Sequence, residues 1–169
     1  MPGKTRKEEA LTKIFRWTLI PSVFLLDRVL KIWVLHSLKE GQSIPVWEPI
    51  FRLTRVNNTG AAFGLWRGAP FFLLLVTVVS VIVILWFLIR GGRGGPKAAV
   101  NFYGWSLVAA GALGNLYDRL HFGYVIDFLD FRVWPVFNAA DSAICLGVFW
   151  ILMNTFWKGS PSSDASRPV

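Results

Sequence analysis

Four long apolar runs divide the chain, covering about 17–35, 70–89, 98–116 and 141–157. Each is close to the roughly 20 residues that a helix needs to cross a bilayer. The run at 70–89 is interrupted only by Thr77 and Ser80 and is the clearest of the four. Residues 109–114 of the third run are mostly Ala and Gly, small side chains that let helices approach closely. The pattern predicts a single four-helix membrane domain over 17–157.

Two mixed segments, 36–68 and 117–140, separate these runs. The first contains Gly and Pro breakers and an alternating run at 51–56, which predicts a strand, followed by a predicted turn at 57–60. The second combines charges with aromatic side chains, a composition typical of the membrane interface. The sequence therefore predicts an all-α integral membrane protein that carries a small β element.

Composition and charge support this class. The chain has 169 residues, of which 54% are apolar and 17% charged, with a mean hydropathy of +0.48, too apolar for an ordinary soluble domain. A single Cys excludes an internal disulfide, and two His with one Cys argue against a zinc cage. The net charge of +8 comes from basic residues that flank the apolar runs, so we expect no nucleic-acid partner.

Lys and Arg are distributed unevenly between the two sides of the membrane. Ten lie in the N-terminal segment 1–16, the loop 90–97 and the tail 158–169, against six in 36–68 and 117–140. The positive-inside rule then places both termini in the cytoplasm and the two mixed segments outside. We expect the tail, rich in Ser and Pro, to be disordered. The lack of an internal repeat weakens a transporter interpretation.

Charged side chains inside the first run need an explanation, because a charge at membrane depth is costly. Asp27 and Lys31 are four residues apart, acid before base, the favourable order for an ion pair within a helix. They form either a purely structural pair or part of a polar site near the outer face. Asn115 and Arg119 are also four apart. They either end the third helix and contact lipid headgroups, or Arg119 holds carbonyl or phosphate oxygens.

Several acids near the outer face are candidates for acid–base chemistry. Asp127 lies in an aromatic stretch, where a carboxylate resists ionisation. Spacing alone does not choose between it and Asp130, whereas Asp118 is a weaker candidate because its neighbour Arg119 can neutralise it. Asp141 follows Asn138 by three residues, the spacing of a helix capping box, and the positive end of that helix would favour its ionised form.

Two carboxyl groups that meet at the dry outer edge of a small helical bundle can share one proton. That arrangement is what aspartic proteolysis requires. The sequence has no Gly-x-Ser-x-Gly elbow, no His-Glu-x-x-His motif and no phosphate loop. We therefore expect neither a metal nor a cofactor.

Five short motifs lie in order along nearly the whole chain: DRVLK at 27–31, NNTGAAF at 57–63, GALGNLYDR at 111–119, VIDF at 125–128 and FNAADS at 137–142. Together they resemble the motifs of the lipoprotein signal peptidases, the type II signal peptidases of bacterial inner membranes. The resemblance implies that Asp127 and Asp141 are the catalytic pair. It places further residues in or beside the site: Asp27, Lys31, Asn58, Gly111, Asn115, Arg119, Asn138 and Ala139.

The resemblance also implies a fold and a substrate. The fold would be four transmembrane helices with a small extracytoplasmic β-sheet and a short interfacial helix. The substrates would be diacylglyceryl-modified prolipoproteins, cleaved just before the lipidated cysteine. Two features depart from the family: Leu30 stands where a small hydroxyl residue is common, and the 14-position connection from Asp127 to Asp141 suggests a trimmed outer loop.

Some expectations concern access and assembly. The protein should be a multi-pass monomer of the bacterial inner membrane, in contact with membrane lipids. Residues 57–68 could close over the site as a lid. The small side chains around Gly111 either admit substrate from the bilayer or pack against another helix of the protein. A small ion or proton transport subunit and a lipid-binding scaffold are the competing interpretations.

Overall fold

The structure is a computed structural model that describes residues 6–60, 68–91 and 96–156. These residues form, in chain order, α1 (Arg6–Ser37), β1 (Ser43–Trp47), β2 (Phe51–Asn58), α2 (Pro70–Gly91), α3 (Pro96–Phe122), β3 (Val125–Asp130) and α4 (Ala139–Phe156). Each predicted apolar run lies on a helix through its described part, and the predicted strand at 51–56 lies within β2. The expected tail at 158–169 lies outside the described residues.

Two helices extend beyond the predicted spans. α1 begins at Arg6, so residues 6–16 of the expected N-terminal segment are helical, and its 32 residues give a length of about 48 Å. α3 continues past 116 to Phe122, because no breaker occurs before Gly123. Gly123 has a φ of 78°, a left-handed conformation that ends the helix, and its N–H donates to the Arg119 carbonyl at 3.2 Å.

Two of the helices are long and apolar enough to cross a membrane by length and composition, Pro70–Arg90 and Ala139–Phe156. Large apolar side chains of both point outward, among them Phe71, Ile82, Leu146 and Phe149. α1 is not one of these two helices because it carries three charges inside its apolar run, and α3 is not one of them because Gly, Ser and Asn lower the mean hydropathy of its run. Four membrane-spanning helices therefore stay a prediction.

α3 is the central helix, in contact with α1, α2 and α4. Glycines bring it close to α4: a Cβ on Gly147 would lie 2.5 Å from the Gly104 carbonyl oxygen, and a Cβ on Gly111 would overlap the carbonyl oxygen of Ala140. Gly114 makes room for a different neighbour, since a Cβ there would lie 2.7 Å from Asp27 Oδ2 on α1. Small residues thus set the distances between the helices that carry the candidate site.

The strands form one antiparallel sheet in the order β1-β2-β3. The sequence analysis did not predict β3. It pairs with β2 so that Asp127 lies opposite Val56 and Val125 opposite Asn58. Ile126 and Phe128 on its other face pack against Val34 and Leu38 at the end of α1. This small core fixes the sheet on the helices.

One expectation about the outer segments is not tested. Residues 117–140 contain the end of α3, the strand β3, irregular backbone and the start of α4. Among the described outer residues no short helix occurs, so the interfacial helix implied by the family resemblance stays a prediction. Residues 61–67, between β2 and α2, lie outside the described ranges, and with them most of the expected lid at 57–68.

Candidate active site

The two acids chosen through the family resemblance line the same cavity. Asp127 lies on β3 and is 2% exposed, and Asp141 lies in the first turn of α4 and is partly buried. The cavity has a volume of about 1280 Å³ and also exposes side chains of Asn58, Asn115 and Arg119. Three consecutive elements, α3, β3 and α4, therefore contribute polar groups to this cavity, and β2, which lies about 70 residues before β3 in the chain, contributes Asn58.

Asn138 connects the two carboxyl groups. Its side-chain Nδ2 donates to Asp127 Oδ1 at 2.7 Å, and its backbone N–H donates to Asp141 Oδ2 at 3.2 Å. Its Oδ1 accepts from the backbone N–H of Asp141 at 2.9 Å. The last two bonds are the reciprocal bonds of a capping box, which confirms that interpretation of the Asn138–Asp141 spacing. The cap that begins α4 therefore also positions both acids.

Two further amides hold the remaining carboxylate oxygens. Asn58 Nδ2 on β2 donates to Asp127 Oδ2 at 2.9 Å, and Asn115 Nδ2 on α3 donates to Asp141 Oδ1 at 2.7 Å. Each acid thus accepts two hydrogen bonds from neutral donors. Neutral donors orient a carboxyl group without binding its charge as tightly as a Lys or Arg contact would.

The surroundings of Asp127 resist its ionisation. Burial, and next the negative charge of Asp141, raise the pKa of Asp127 to about 7, against the opposing effects of Asn58, Asn138 and the positive charge of Lys31. Asp141 is also partly buried, but it lies at the N-terminus of α4, where the helix dipole stabilises negative charge. The two carboxyl groups therefore have unequal environments.

Behind the amides lies a buried cluster of four charges, Asp27, Arg28, Lys31 and Asp118. Arg28 donates to Asp118 Oδ1 at 2.6 Å and to Asp27 Oδ2 at 2.8 Å. Lys31 Nζ lies 2.7 Å from Asp118 Oδ2 and 3.1 Å from Asp27 Oδ2. Asp118 is therefore neutralised by α1 and not by its neighbour Arg119, which corrects the sequence interpretation.

The cluster reaches the candidate site by two hydrogen bonds. Lys31 Nζ donates to Asn115 Oδ1 at 3.1 Å, and the backbone N–H of Ala140 donates to Asp27 Oδ1 at 3.0 Å. Asp27 and Lys31 thus form the ion pair expected within the helix and also contact residues of the candidate site, which favours the second interpretation over a purely structural pair.

The other predicted site residues divide into two groups. Arg119 lines the cavity and lies within electrostatic range of Asp141 and Asp127, and among the described residues no hydrogen-bond partner of its guanidinium is found. Gly111 and Ala139 do not line the cavity. Gly111 packs against Ala140 and Ile144 of α4, which favours the close-packing interpretation, and Ala139 packs against the core at the end of α1.

The rival acid Asp130 is held elsewhere. It accepts from Thr54 Oγ1 at 2.7 Å and from the backbone N–H of Arg132 at 2.9 Å. It does not line the cavity that contains Asp127. Within the described residues, no group of three or more His, Cys, Asp or Glu side chains is arranged to hold a metal ion.

Sequence reasoning missed the role of Arg28 and the correct partners of Asp118. The available signal was the presence of three charges in five residues, 27–31, of a predicted membrane span. The pair of Asp27 and Lys31 accounted for only two of them. The third charge required a partner on another helix.

Comparison with known proteins gives consistent matches over most of the chain. A family profile described as signal peptidase (SPase) II matches residues 19–157. The chain is 47% identical over 150 residues to a lipoprotein signal peptidase of Pelotomaculum thermopropionicum, covering 87% of this chain and 97% of the relative. It is 41% identical over 142 residues to a lipoprotein signal peptidase of Halothermothrix orenii, covering 84% and 94%.

Solved structures agree with these matches. A bacterial membrane enzyme determined by the in meso method at 2.3 Å resolution has a TM-score of 0.78 and 28% identity, covering 91% of this chain and 94% of that one. A second bacterial membrane enzyme, determined by the same method at 1.9 Å, has a TM-score of 0.74 and 30% identity.

Proposed function

The chain belongs to the signal peptidase II family, and from that premise we propose that Asp127 and Asp141 are its catalytic pair. As a family member it is a peptidase of the bacterial inner membrane that removes signal peptides from prolipoproteins. The observation that carries the proposal is that both carboxyl groups line one cavity and are joined through Asn138.

The two acids divide the work of acid and base. Neighbouring carboxyl groups avoid a double negative charge, so the pair holds one proton over a range of pH. Burial and the charge of Asp141 raise the pKa of Asp127 to about 7, which supports Asp127 as the protonated acid. The N-terminus of α4 stabilises a negative Asp141, which supports Asp141 as the base.

Hydrolysis then proceeds by general acid–base catalysis. A water oxygen attacks the scissile carbonyl carbon as its proton passes to Asp141, and Asp127 gives its proton to the carbonyl oxygen. When the tetrahedral intermediate collapses, the C–N bond breaks and Asp141 returns its proton to the leaving amine. A hydroxyl group of the intermediate gives a proton back to Asp127. One water is consumed, and the pair ends in its starting state.

The remaining polar residues orient the reactants. Asn58 and Asn115 hold one oxygen of each acid and leave the carboxyl groups directed at the cavity. Arg119 lines the same cavity and presents planar guanidinium donors to carbonyl oxygens of the substrate. Asp27 and Lys31 do not line the cavity. They support it by hydrogen bonds to the backbone of Ala140 and the side chain of Asn115.

The cavity fits a lipidated peptide. Its volume of about 1280 Å³ exceeds the roughly 300–1,000 Å³ of ordinary ligand pockets. Its walls combine polar groups with apolar side chains such as Val56, Phe137 and Ile144. A diacylglyceryl-modified prolipoprotein offers both a peptide backbone and acyl chains. Cleavage just before the lipidated cysteine would place the scissile bond at the acids and the chains along the apolar wall.

All four helices cross the membrane in this proposal, with spans of about 17–35, 70–89, 98–116 and 141–157. The segments 36–68 and 117–140 are extracytoplasmic, and both termini, 1–16 and 158–169, are cytoplasmic. Outward-facing apolar side chains on α1, such as Leu25, Val29 and Trp33, support a lipid-exposed first span despite its buried charges. The protein acts as a monomer, in contact with membrane lipids, and needs no cofactor. The family matches do not favour the alternative of an ion or proton transport subunit.

The test is cleavage of a synthetic diacylglyceryl-modified precursor peptide by the purified protein. Asp127→Asn and Asp141→Asn should each reduce cleavage by several orders of magnitude, because each removes one partner of the proton exchange. Asp130→Asn is the matched control, since it makes the same chemical change on the same strand away from the cavity. Full cleavage by either folded active-site variant would exclude the pair.

A further inference from the structure

The buried site has a nearly balanced set of charges. Among the described residues, four acids and three bases belong to it or to the cluster behind it: Asp27, Asp118, Asp127, Asp141, Arg28, Lys31 and Arg119. With every group ionised the set would carry one excess negative charge. One proton on the pair of Asp127 and Asp141 brings the set to neutrality. A neutral set is the one least costly to bury, since an uncompensated charge in a low dielectric carries a large penalty.

Arg28 is the base of this set that the catalytic scheme does not use. Arg28 is only 8% exposed. Its two terminal guanidinium nitrogens donate to carboxylates on two different helices, Asp27 on α1 and Asp118 on α3. The ring of Tyr117 covers it, with the guanidinium carbon 4.7 Å from the ring centroid. Arg28 is thus enclosed by acids and an aromatic face.

The contacts of Lys31 carry the effect of Arg28 toward the acids. The three donors of the Lys31 ammonium match three acceptors, Asp27 Oδ2, Asp118 Oδ2 and Asn115 Oδ1. Arg28 also binds the carboxylates of Asp27 and Asp118, so one of the three Lys31 donors remains for Asn115 Oδ1. The Nδ2 of Asn115 in turn donates to Asp141 Oδ1 at 2.7 Å. Without Arg28, Lys31 alone would face two carboxylates.

We propose, on the basis of the proposed function, that Arg28 is a positioning residue: it supplies the third positive charge of the buried site, so that the site is neutral when the acid pair holds one proton. Its charge thereby sets the pH range in which the pair is singly protonated. Its contacts also keep Lys31 on Asn115 and so keep Asp141 in place.

The charged groups around the acid pair come from α1 and α3. α1 contributes Asp27 and Lys31, with Arg28 behind them, and α3 contributes Arg119, with Asp118 behind it among the contacts of Arg28 and Lys31. The pair itself lies on β3 and α4, and β2 presents the neutral Asn58. Removal of one cation from this set makes the surroundings of the pair more negative, so the pair holds its protons to higher pH.

The experiment compares the pH dependence of kcat and KM for cleavage of the lipidated precursor peptide. In Arg28→Gln both limbs of the kcat profile should move to higher pH, by less than about one unit, because Arg28 lies behind Lys31 and not against the acid pair. At the optimum, kcat should fall about tenfold while KM changes less than about twofold, as for an effect on positioning rather than on binding. Arg28→Lys should restore both limbs, because it restores the charge.

Two further variants separate charge balance from folding. Asp118→Asn removes an anion and should move the limbs to lower pH, and the double variant Arg28→Gln/Asp118→Asn should return them to the wild-type position. Arg52→Gln is the matched control, because Arg52 binds Glu48 and Ser43 on the sheet and does not line the cavity.

Unshifted limbs in a folded Arg28→Gln enzyme, or a double variant that shifts as far as Arg28→Gln alone, would overturn the inference. Loss of cleavage in Asp127→Asn and Asp141→Asn would meanwhile leave the proposed function standing, so the two failures are distinguishable.

Discussion

The contact between Gly111 and α4 gives the most specific mutational prediction. A Cβ at this position would overlap the Ala140 carbonyl oxygen and lie 2.8 Å from Ile144 Cγ1, where ordinary contacts are 3.4–4 Å. The backbone carbonyl cannot rotate away, so Gly111→Ala forces α4 outward by about 1 Å to recover normal contact distances. The residue that follows Ala140 is Asp141, so the same displacement moves one of the two acids relative to the other.

The magnitude follows from that displacement. Overpacking of this kind costs about 1–3 kcal/mol of stability. A misplacement of about 1 Å at a reacting group reduces kcat/KM about a hundredfold, or about 2.7 kcal/mol of transition-state stabilisation. We therefore expect Gly111→Ala to be a folded, moderately destabilised protein whose activity is reduced far more than its stability.

Gly104→Ala is the matched control for this experiment. A Cβ there would lie 2.6 Å from Ile151 Cγ1 and 2.9 Å from the Gly147 carbonyl oxygen, a smaller backbone overlap at the same helix pair, away from the acids. Thermal unfolding should show destabilisation in both variants, and kcat/KM on the lipidated precursor peptide should show a large activity loss only in Gly111→Ala. Equal activities in the two variants would refute the reasoning.

Three further predictions concern the polar groups of the site. Asn138→Ala should lower stability by about 1 kcal/mol through loss of the helix cap, measured by thermal unfolding. It should also reduce kcat strongly, because Asp127 loses its side-chain donor and the cap that places Asp141 is removed; an unchanged kcat would contradict this role. Lys31→Met leaves two buried carboxylates with one cation and should lower the free energy of unfolding by about 3–5 kcal/mol. A variant as stable as wild type would show that the cluster is dispensable. Because the pKa of Asp127 is raised to about 7, the folded state binds more protons than the unfolded state between about pH 4 and 7. Wild-type stability should therefore rise as pH falls through this range, and Asp127→Asn should lack that part of the pH dependence.

Much of the fold could be predicted because the forces that form it are local. The four helices follow from apolar runs long enough to span a bilayer, and β2 follows from alternation at 51–56. β3 could not be predicted in the same way. Its sequence, VIDFLD, places acids at two positions, and it becomes a strand by pairing with β2, a partner about 70 residues earlier in the chain.

The choice among the acids shows the same limit. Asp127 and Asp130 are an odd number of residues apart on one strand, so their side chains point to opposite faces. Only the register opposite Val56 decides which of them faces the cavity. Asp118 illustrates the limit for helices, because its partner Arg28 is 90 residues away and adjacency to Arg119 suggested the wrong pairing. The local sequence identifies Asp118, Asp127 and Asp130 as candidate acids. Only the tertiary contacts show which of them lines the cavity.

The family motifs pointed to residues that spacing alone does not mark. They identified Asn58, Asn115 and Asn138, whose amides hold the two acids, although no periodicity marks these residues. The motifs also included Gly111 and Ala139, which pack the helices and the core and do not line the cavity. A family motif therefore includes both residues that line the cavity and residues that only pack behind it, and the motif alone does not distinguish the two kinds.

The most direct measurement is a crystal structure of the Asp127→Asn variant with an uncleaved diacylglyceryl-modified precursor peptide bound. We expect the scissile carbonyl carbon to lie between the side chains of residues 127 and 141, within about 4 Å of both, close to a near-attack geometry. A peptide bound with its scissile bond elsewhere, out of reach of either side chain, would contradict the assignment of these two acids as the catalytic pair.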